Sequence, residues 1–357
     1  MMMDTISNIQ IEKVKTSKIQ SVDFKNIQFG KQFSDHMFVA DYKNGEWKNL
    51  KIVPYAPISI SPSCAAIHYG QSVFEGMKAY KDSDGNVLLF RPTENAKRIN
   101  MSAKRMCMPE IPETLFMDAI HQLVELDADW VPVAEDSSLY IRPFIFASEE
   151  LLGVRPAEEY KFMIITSPVS SYYTGPVDVK IETHYTRASE GGVGFAKAAG
   201  NYAAALYPAK LGQDQGYKQL IWTDANTHEY IEESGTMNVM FLINNVLITP
   251  SISLHTTLAG ITRDSILTLA KEIGIKVEER RVSVKEVVDA ARKNLLQDAF
   301  GTGTAATIAQ IASITFNDER FELAPLEQRT VSNQISTLIQ NIKRGRVVDT
   351  HNWIDKL

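Results

Sequence analysis

A single lysine stands in an apolar collar within EGGVGFAKAAGNYAAAL. Lys197 is flanked by Phe195, Ala196, Ala198, Ala199 and Gly200, and the nearest acid, Glu190, lies beyond the glycines. Two uses fit such a residue. The commoner one packs the stem on apolar surface and lets the ammonium snorkel to water. The other desolvates the head group, favouring the neutral amine that condenses with a carbonyl as a Schiff base. The neighbouring glycines allow close approach of backbone to a flat ligand, and Asn201 and Tyr202 are polar groups able to reach the same pocket. The segment alone leaves both uses open.

In TDANTHEYIEESGTMNVMFLI, Glu232, Glu233 and Ser234 precede Gly235 and Thr236 at the mouth of a long apolar strand. A carboxylate there is commonly a solvated turn residue. Glu233 could instead pair with a pyridinium nitrogen, the anion that enzymes of pyridoxal phosphate (PLP) need to keep the ring protonated as an electron sink. Three further places suit a phosphate. LAGITRDS sets Gly260 before a helix whose N–H groups at Ile261 and Thr262 would face an anion. GTGTAA, residues 301–306, is a Gly/Thr-rich turn offering the Thr304 hydroxyl with backbone N–H groups. It lacks both the GK[ST] ending of a Walker loop and the GxGxxG spacing. RPTENAKRIN puts Arg98 in an otherwise apolar helix face beside Ile99, with a fork suited to phosphate. A lone arginine is more often a surface ion-pair partner. Singly each signal is weak; one amine, one carboxylate and three phosphate anchors form a far more specific set.

The elements that must position these groups follow from periodicity. Residues 139–147 and 160–166 are rich in β-branched and aromatic side chains, the strand signal. Helical spacing links Ala96, Ile99, Ala103 and Met106 over 93–107, then Phe116, Ala119, Ile120 and Leu123 over 114–130. Ser, Gly and Pro concentrate at 167–178, which marks a linker. Beyond it, strands are expected at 218–223, 237–243, 246–249 and 276–282. A helix from Thr262 to Ile273 stops at Gly274. Ser283 and Glu286 have capping-box spacing and open a helix over 284–295. The last helix runs from about Leu326 to Arg344, with Val331, Ile335, Leu338 and Ile342 on one face and Gly345 as its stop. The pattern is a two-domain α+β or α/β protein: a small N-terminal domain over 1–168, a linker over 169–181 and a larger C-terminal domain over 182–357.

Composition excludes more than it identifies. A net charge of -6 argues against a nucleic-acid binder, whose footprint is a basic face. No apolar run approaches the roughly 20 residues that span a bilayer, and the N-terminus lacks the apolar core of a secretory signal. Cys64 and Cys107, without CxxC spacing, give neither a disulfide framework nor a thiolate metal site and read as small core residues. The expectation is a cytoplasmic protein without metal, nucleic-acid or membrane partner.

Lys197 in GGVGFAKAAGNYA, with EESGTMNVMF, LAGITRDSI, GTGTAATI and HYGQSVFEGMKAY, resembles the branched-chain amino acid aminotransferases of PLP fold type IV. The likeness runs from about Phe29 to the C-terminal helix, with the motifs in the same order and spacing. It implies the D-amino acid aminotransferase-like fold, with PLP between the small and large domains, and a homodimer or assembly of dimers. It implies transamination of leucine, isoleucine and valine with 2-oxoglutarate, giving branched-chain 2-oxo acids and glutamate. Residue by residue, Lys197 matches the Schiff-base lysine, Glu233 the partner of the pyridinium nitrogen, and Tyr202 the tyrosine at the phenolic oxygen. Arg98, Ile261, Thr262 and Thr304 match the phosphate cup, and Arg187 an arginine that organises the lysine segment. Phe29, Tyr69, Phe74, Tyr140, Thr236 and Ala305 match the substrate pocket, with Tyr69 and Val154 reaching across the dimer interface. Arg142, in YIRPF, is expected to answer the distal carboxylate of glutamate; a structural salt bridge is its other use. One departure stands out: the redox-sensitive CxxC of some mammalian members is replaced here by Ala306 and Ala309, which removes that thiol switch. D-amino acid aminotransferases and aminodeoxychorismate lyases resemble the chain at the lysine and glutamate, but FEGMKAY, YIRPF and GTMNVMF look more like the branched-chain enzymes. A catalytically inactive PLP-fold binding protein is the alternative of another class, and the intact set of motifs argues against it.

Overall fold

The computed structural model describes residues 7–24, 26–170 and 175–357. Contacts divide the chain into two compact units. The first is Met1–Tyr172 with Ala196–Gly200 and Ile342–Leu357; the second is Tyr173–Phe195 with Asn201–Asn341.

The first unit is built on a largely antiparallel sheet. Its strands are β1 (Gln10–Ile11), β2 (His36–Lys43), β3 (Glu46–Pro54), β4 (Ser72–Phe74), β5 (Met77–Lys81), β6 (Val87–Phe90), β7 (Ser138–Ala147) and β8 (Tyr160–Val169). They lie in the order β1-β3-β2-β8-β7-β5-β6, with β4 beside β7. The C-terminal strand Ile354–Lys356 covers the β6 edge antiparallel. Asn44 and Gly45, both at positive φ, make the two-residue turn joining β2 to β3, the geometry that matches strand twist. Helices α1 (Ala65–Tyr69), α2 (Pro92–Arg105) and α3 (Glu113–Leu126) complete the unit. Ala96, Ile99 and Ala103 of α2 and Phe116, Ile120 and Leu123 of α3 share one core with Phe38, Ile52 and Phe162 of the sheet. These are the residues whose helical spacing the sequence displays, and burying them is worth roughly 1.5–3 kcal/mol per large side chain.

The second unit carries β9 (Val177–Ile181), β10 (Gln219–Thr223), β11 (Tyr230–Ser234), β12 (Asn238–Ile243), β13 (Val246–Pro250), β14 (Lys276–Arg280), β15 (Val282–Ser283), β16 (Leu296–Gly303), β17 (Thr307–Phe316) and β18 (Glu319–Glu322). Their order is β14-β13-β12-β16-β17-β9-β10-β11-β15, with β18 on β17. β11 also packs on β12 and β13, far from it in that order, so the sheet curls back on itself. Four helices follow in chain order: α4 (Ala199–Asp214), α5 (Ile261–Glu272), α6 (Val284–Arg292) and α7 (Thr330–Lys343), whose last residues count with the first unit. Val179, Ile221, Val239, Phe241 and Ile311 form its core with Val284, Val287 and Val288 of α6. Gly274 takes the expected left-handed conformation after α5 (φ 81). The Ser283 side chain caps α6 by accepting from the Glu286 N–H at 3.0 Å.

Several expectations are corrected. The 169–181 linker is strand at both ends, because Val169 ends β8 and Val177–Ile181 is β9 between β17 and β10; residues 171–174 lie outside the described residues. The chain after Ile342 belongs with the first unit rather than with a 182–357 domain, since its final strand pairs with β6. Gly301 and Thr302 are strand, so only Thr304 to Ala306 remain of the 301–306 turn. The α6 helix ends at Arg292, not residue 295, and α7 starts at Thr330 after a short 3-10 turn at Leu326–Gln328. Cys64 is buried, but Cys107 is exposed at positive φ just past α2, where backbone geometry overrides its apolar character. Among the described residues no helix is long and apolar enough to cross a membrane.

Candidate active site

In the first unit, β4 and the start of β5 carry FEGMK beside the middle of β7, which carries YIRPF. Alternation along β7 sends Tyr140 and Arg142 to one face. The Arg142 Nη2 donates to the Tyr140 hydroxyl at 2.8 Å, and its guanidinium lies 4.4 Å from the centre of the Phe74 ring. The Arg142 Nε is buried and has no hydrogen-bond partner among the described residues. Phe29 meets Tyr140 edge-on at 5.1 Å. Gly76 is required here, because a β-carbon would overlap the Tyr140 hydroxyl. Lys78, opposite Tyr140 in the register, is pushed down to about 8 by burial and by the neighbouring charge of Arg344.

Lys197 belongs to this cluster: its Nζ lies 4.8 Å from the centre of the Phe74 ring. Its backbone is held too, since the Lys197 N–H donates to Ser102 Oγ at 2.9 Å and its carbonyl accepts from the Phe74 N–H at 3.1 Å. Arg98 is buried on α2, as its apolar neighbours require, and its Nε and Nη2 donate to the two oxygens of Glu75 at 2.7 and 2.8 Å. Glu75 also accepts from Asn95 Nδ2 at 2.7 Å and from the Gly76 N–H at 3.1 Å. Burial works to raise the Glu75 carboxyl, but Arg98, Lys197 and Asn95 hold it below the usual range. Glu75, Asn95 and Ser102 are buried partners of these candidate residues that sequence reasoning misses. Tyr69 and Val154 stand apart: the Tyr69 hydroxyl donates to the Leu152 carbonyl, and Val154 is 87% exposed.

In the second unit Glu233 is no solvated turn residue. It is buried within β11, and Arg187 Nε stands 2.6 Å from its Oε2. Asn238 Nδ2 and the Leu258 N–H donate to Oε1 at 3.2 and 2.9 Å. Arg187 Nη2 reaches the carbonyls of Gly194 and Thr256 at 3.1 and 3.0 Å. Gly194 permits this, because a β-carbon there would sit 2.5 Å from the Thr256 oxygen. The glycine three residues before the lysine thus serves the chain's own close approach. Gly260 is the N-cap of α5 and brings no side chain to the N–H groups of its first turn, where Thr262 is buried. Thr304 and Ala305 occupy the turn from β16 to β17, Thr236 is the exposed residue between β11 and β12, and Tyr202 is half-buried on α4. Next to Glu233, Glu232 has its carboxyl raised by burial.

The amino-transferase class IV family model matches residues 72–314. The chain is 42% identical over 353 residues to the branched-chain-amino-acid aminotransferase 2 of Bacillus subtilis (strain 168), covering 98% of this chain and 97% of that one. It is 44% identical to the branched-chain-amino-acid transaminase 1 of the same strain, covering 97% and 99%. The crystal structure of the Escherichia coli branched-chain amino acid aminotransferase superposes with TM-score 0.75 at 28% identity, over 90% of this chain and 98% of that one.

Proposed function

The chain belongs to the class IV branched-chain-amino-acid aminotransferases, and on that premise we propose that Lys197 carries its PLP while leucine, isoleucine or valine passes an amino group to 2-oxoglutarate. The observation that carries this reading is the cluster of Lys197, Phe74, Tyr140 and Arg142: an amine, aromatic walls and a guanidinium whose Nε has no hydrogen-bond partner among the described residues. Aromatic walls suit a branched aliphatic side chain, for which one methylene is worth about 1–3 kcal/mol of discrimination. The open Arg142 donor suits the distal carboxylate of 2-oxoglutarate.

The residues present fit the cofactor. In the first unit Arg98, aimed by Glu75, is suited to hold a phosphate; within the second, the first turn of α5 at Ile261 and Thr262, where Gly260 adds no side chain, and the Thr304 turn are suited to one. Within the second unit Glu233 and Tyr202 would hold the ring, Arg187 would brace Gly194, and Thr236 and Ala305 would take substrate contacts; within the first, Phe29 would do so beside Tyr140. When bound, PLP supplies the electron sink for charge left at the substrate Cα. The Lys197 amine would take the Cα proton as general base and then, as general acid, give it up on the cofactor's carbonyl carbon rather than back to Cα. The aromatic walls exclude water from that amine, and Tyr140 keeps Arg142 turned to the substrate.

The test is glutamate formation from L-leucine and 2-oxoglutarate by the purified protein. Turnover of D-alanine alone overturns the reading, as does a wild type with no visible cofactor band for Lys197→Ala to abolish. The chain assembles at least as a homodimer, with Tyr69 and Val154 in the interface; their exposure, and that of Leu152 and Ile67, supports this. We place the enzyme in the cytoplasm, in keeping with its two free cysteines.

A further inference from the structure

We infer that Ser102 and Glu75 are positioning residues that together set the separation between the Lys197 amine and the Arg98 guanidinium. The inference rests on the reading above that these two groups grip one cofactor, at its carbonyl and at its phosphate.

The ground for it is a closed circuit of contacts. Helix α2 puts Asn95, Arg98 and Ser102 on one buried face, three and four residues apart. Ser102 Oγ donates to the Arg98 carbonyl at 2.9 Å, the ordinary back-bond of a helical serine. The same oxygen accepts from the Lys197 N–H at 2.9 Å, a bond across 95 positions that lands on the lysine itself. From Lys197 the circuit returns through its carbonyl to the Phe74 N–H. The residue after Phe74 is Glu75, which clamps Arg98 through both carboxylate oxygens. An isolated bridge between Val73 and Ala198 braces the return leg. Lys197, Ser102, Arg98, Glu75 and Phe74 thus form one ring in which Glu75 and Ser102 have no exposed surface. A rigid ligand held at two ends tolerates little error in their spacing; misplacement of about 1 Å can cost a hundredfold.

The roles separate. Glu75 orients the arginine, so it governs the phosphate grip; Ser102 fixes the lysine backbone, so it governs capture of the carbonyl. Cofactor-free wild type, Glu75→Gln, Ser102→Ala and Ser102→Thr are titrated with PLP and with pyridoxal, which keeps the carbonyl and lacks the phosphate. The visible band reports binding, and mass after borohydride reduction reports attachment at Lys197. Glu75→Gln is expected to bind PLP at least about tenfold more weakly and pyridoxal within about twofold of wild type. Ser102→Ala is expected to weaken both ligands about tenfold, with recovery in Ser102→Thr. Equal losses for both ligands in Glu75→Gln, or wild-type binding in Ser102→Ala, overturn the inference. Should Glu75→Gln fail to fold, the Ser102 pair decides alone by the same measure. A wild type that attaches no PLP at Lys197 brings down the reading of that lysine, a failure distinct from a variant that matches a competent wild type.

Discussion

Each unit buries one arginine–carboxylate pair close to the predicted cofactor residues, and the two pairs are built in opposite senses. In the first, Arg98 gives two donors to Glu75 and the carboxylate gathers further bonds from Asn95 and Gly76. The carboxylate serves the arginine, which stands on a rigid helix. In the second, Arg187 meets Glu233 through Nε and fastens Nη2 to two backbone carbonyls, while Glu233 collects Asn238 and Leu258. There the arginine serves the carboxylate. A buried pair contributes little net stability, but it fixes whichever partner must face a ligand. On the proposed function, the partner left to act is a cation in one unit and an anion in the other.

That contrast can be broken or sharpened at several points. If both pairs are scaffolding and Lys197 performs the chemistry, Lys197→Ala should lower leucine-dependent glutamate formation by about 10⁴-fold, with urea unfolding of the cofactor-free protein unchanged. A modest loss would move the chemistry elsewhere. Removing either carboxylate strands a buried guanidinium, but not equally. Glu75→Ala should cost about 3–5 kcal/mol in cofactor-free unfolding, because Arg98 commits both Nε and Nη2 to it. Glu233→Ala should cost about 1–3 kcal/mol, since Arg187 keeps two carbonyls. The reverse ranking would undo the comparison. Tyr140→Phe removes the acceptor of Arg142 Nη2; KM for 2-oxoglutarate should rise about tenfold with that for leucine nearly unmoved. A parallel rise in both would make Tyr140 a plain wall.

The smallest effect tests a pair outside the site. His121 Nε2 donates to Asp355 Oδ2 at 2.7 Å, and that contact raises the imidazole above its ordinary 6.5. A raised value means the stabilisation is full below the unfolded pKa and fades as pH climbs through the folded one. His121→Asn should therefore lower stability at about pH 5 and have almost no effect at about pH 9. The pair is about a third exposed, so the loss stays under about 1 kcal/mol. A larger penalty at high pH would reverse the assignment.

Local signals carry much of this structure. The glycine stop after α5, the Ser283 cap and the apolar spacing of α2 and α3 are all written within a few residues of where they act. The Asn44–Gly45 hairpin is equally legible, and the sequence reading passes over it. Buried polar residues are harder. Asn95, Arg98 and Ser102 share a helix face, but their meaning comes from Glu75, 23 positions from Arg98, and from Lys197, 95 positions from Ser102. Glu233 looks like a turn residue because its partners Arg187, Asn238 and Leu258 arrive from three separate segments. The family likeness points to the cofactor residues and says nothing of what aims them. The terminal strand Ile354–Lys356 is too short to show an alternating pattern, and only its pairing with β6 defines it.

That terminal strand also bears on how the chain is made. The first unit draws its members from the beginning, the middle and the end of the sequence. A nascent chain therefore emerges with β6 as an open edge, which can be sealed only once Ile354–Lys356 has been made. The seat for Lys197 is laid down early, on β4 and α2, and waits for a lysine roughly a hundred residues further along. A chain cut just before Ile354 would keep every residue assigned to the cofactor and nonetheless expose β6 as an aggregation-prone strand.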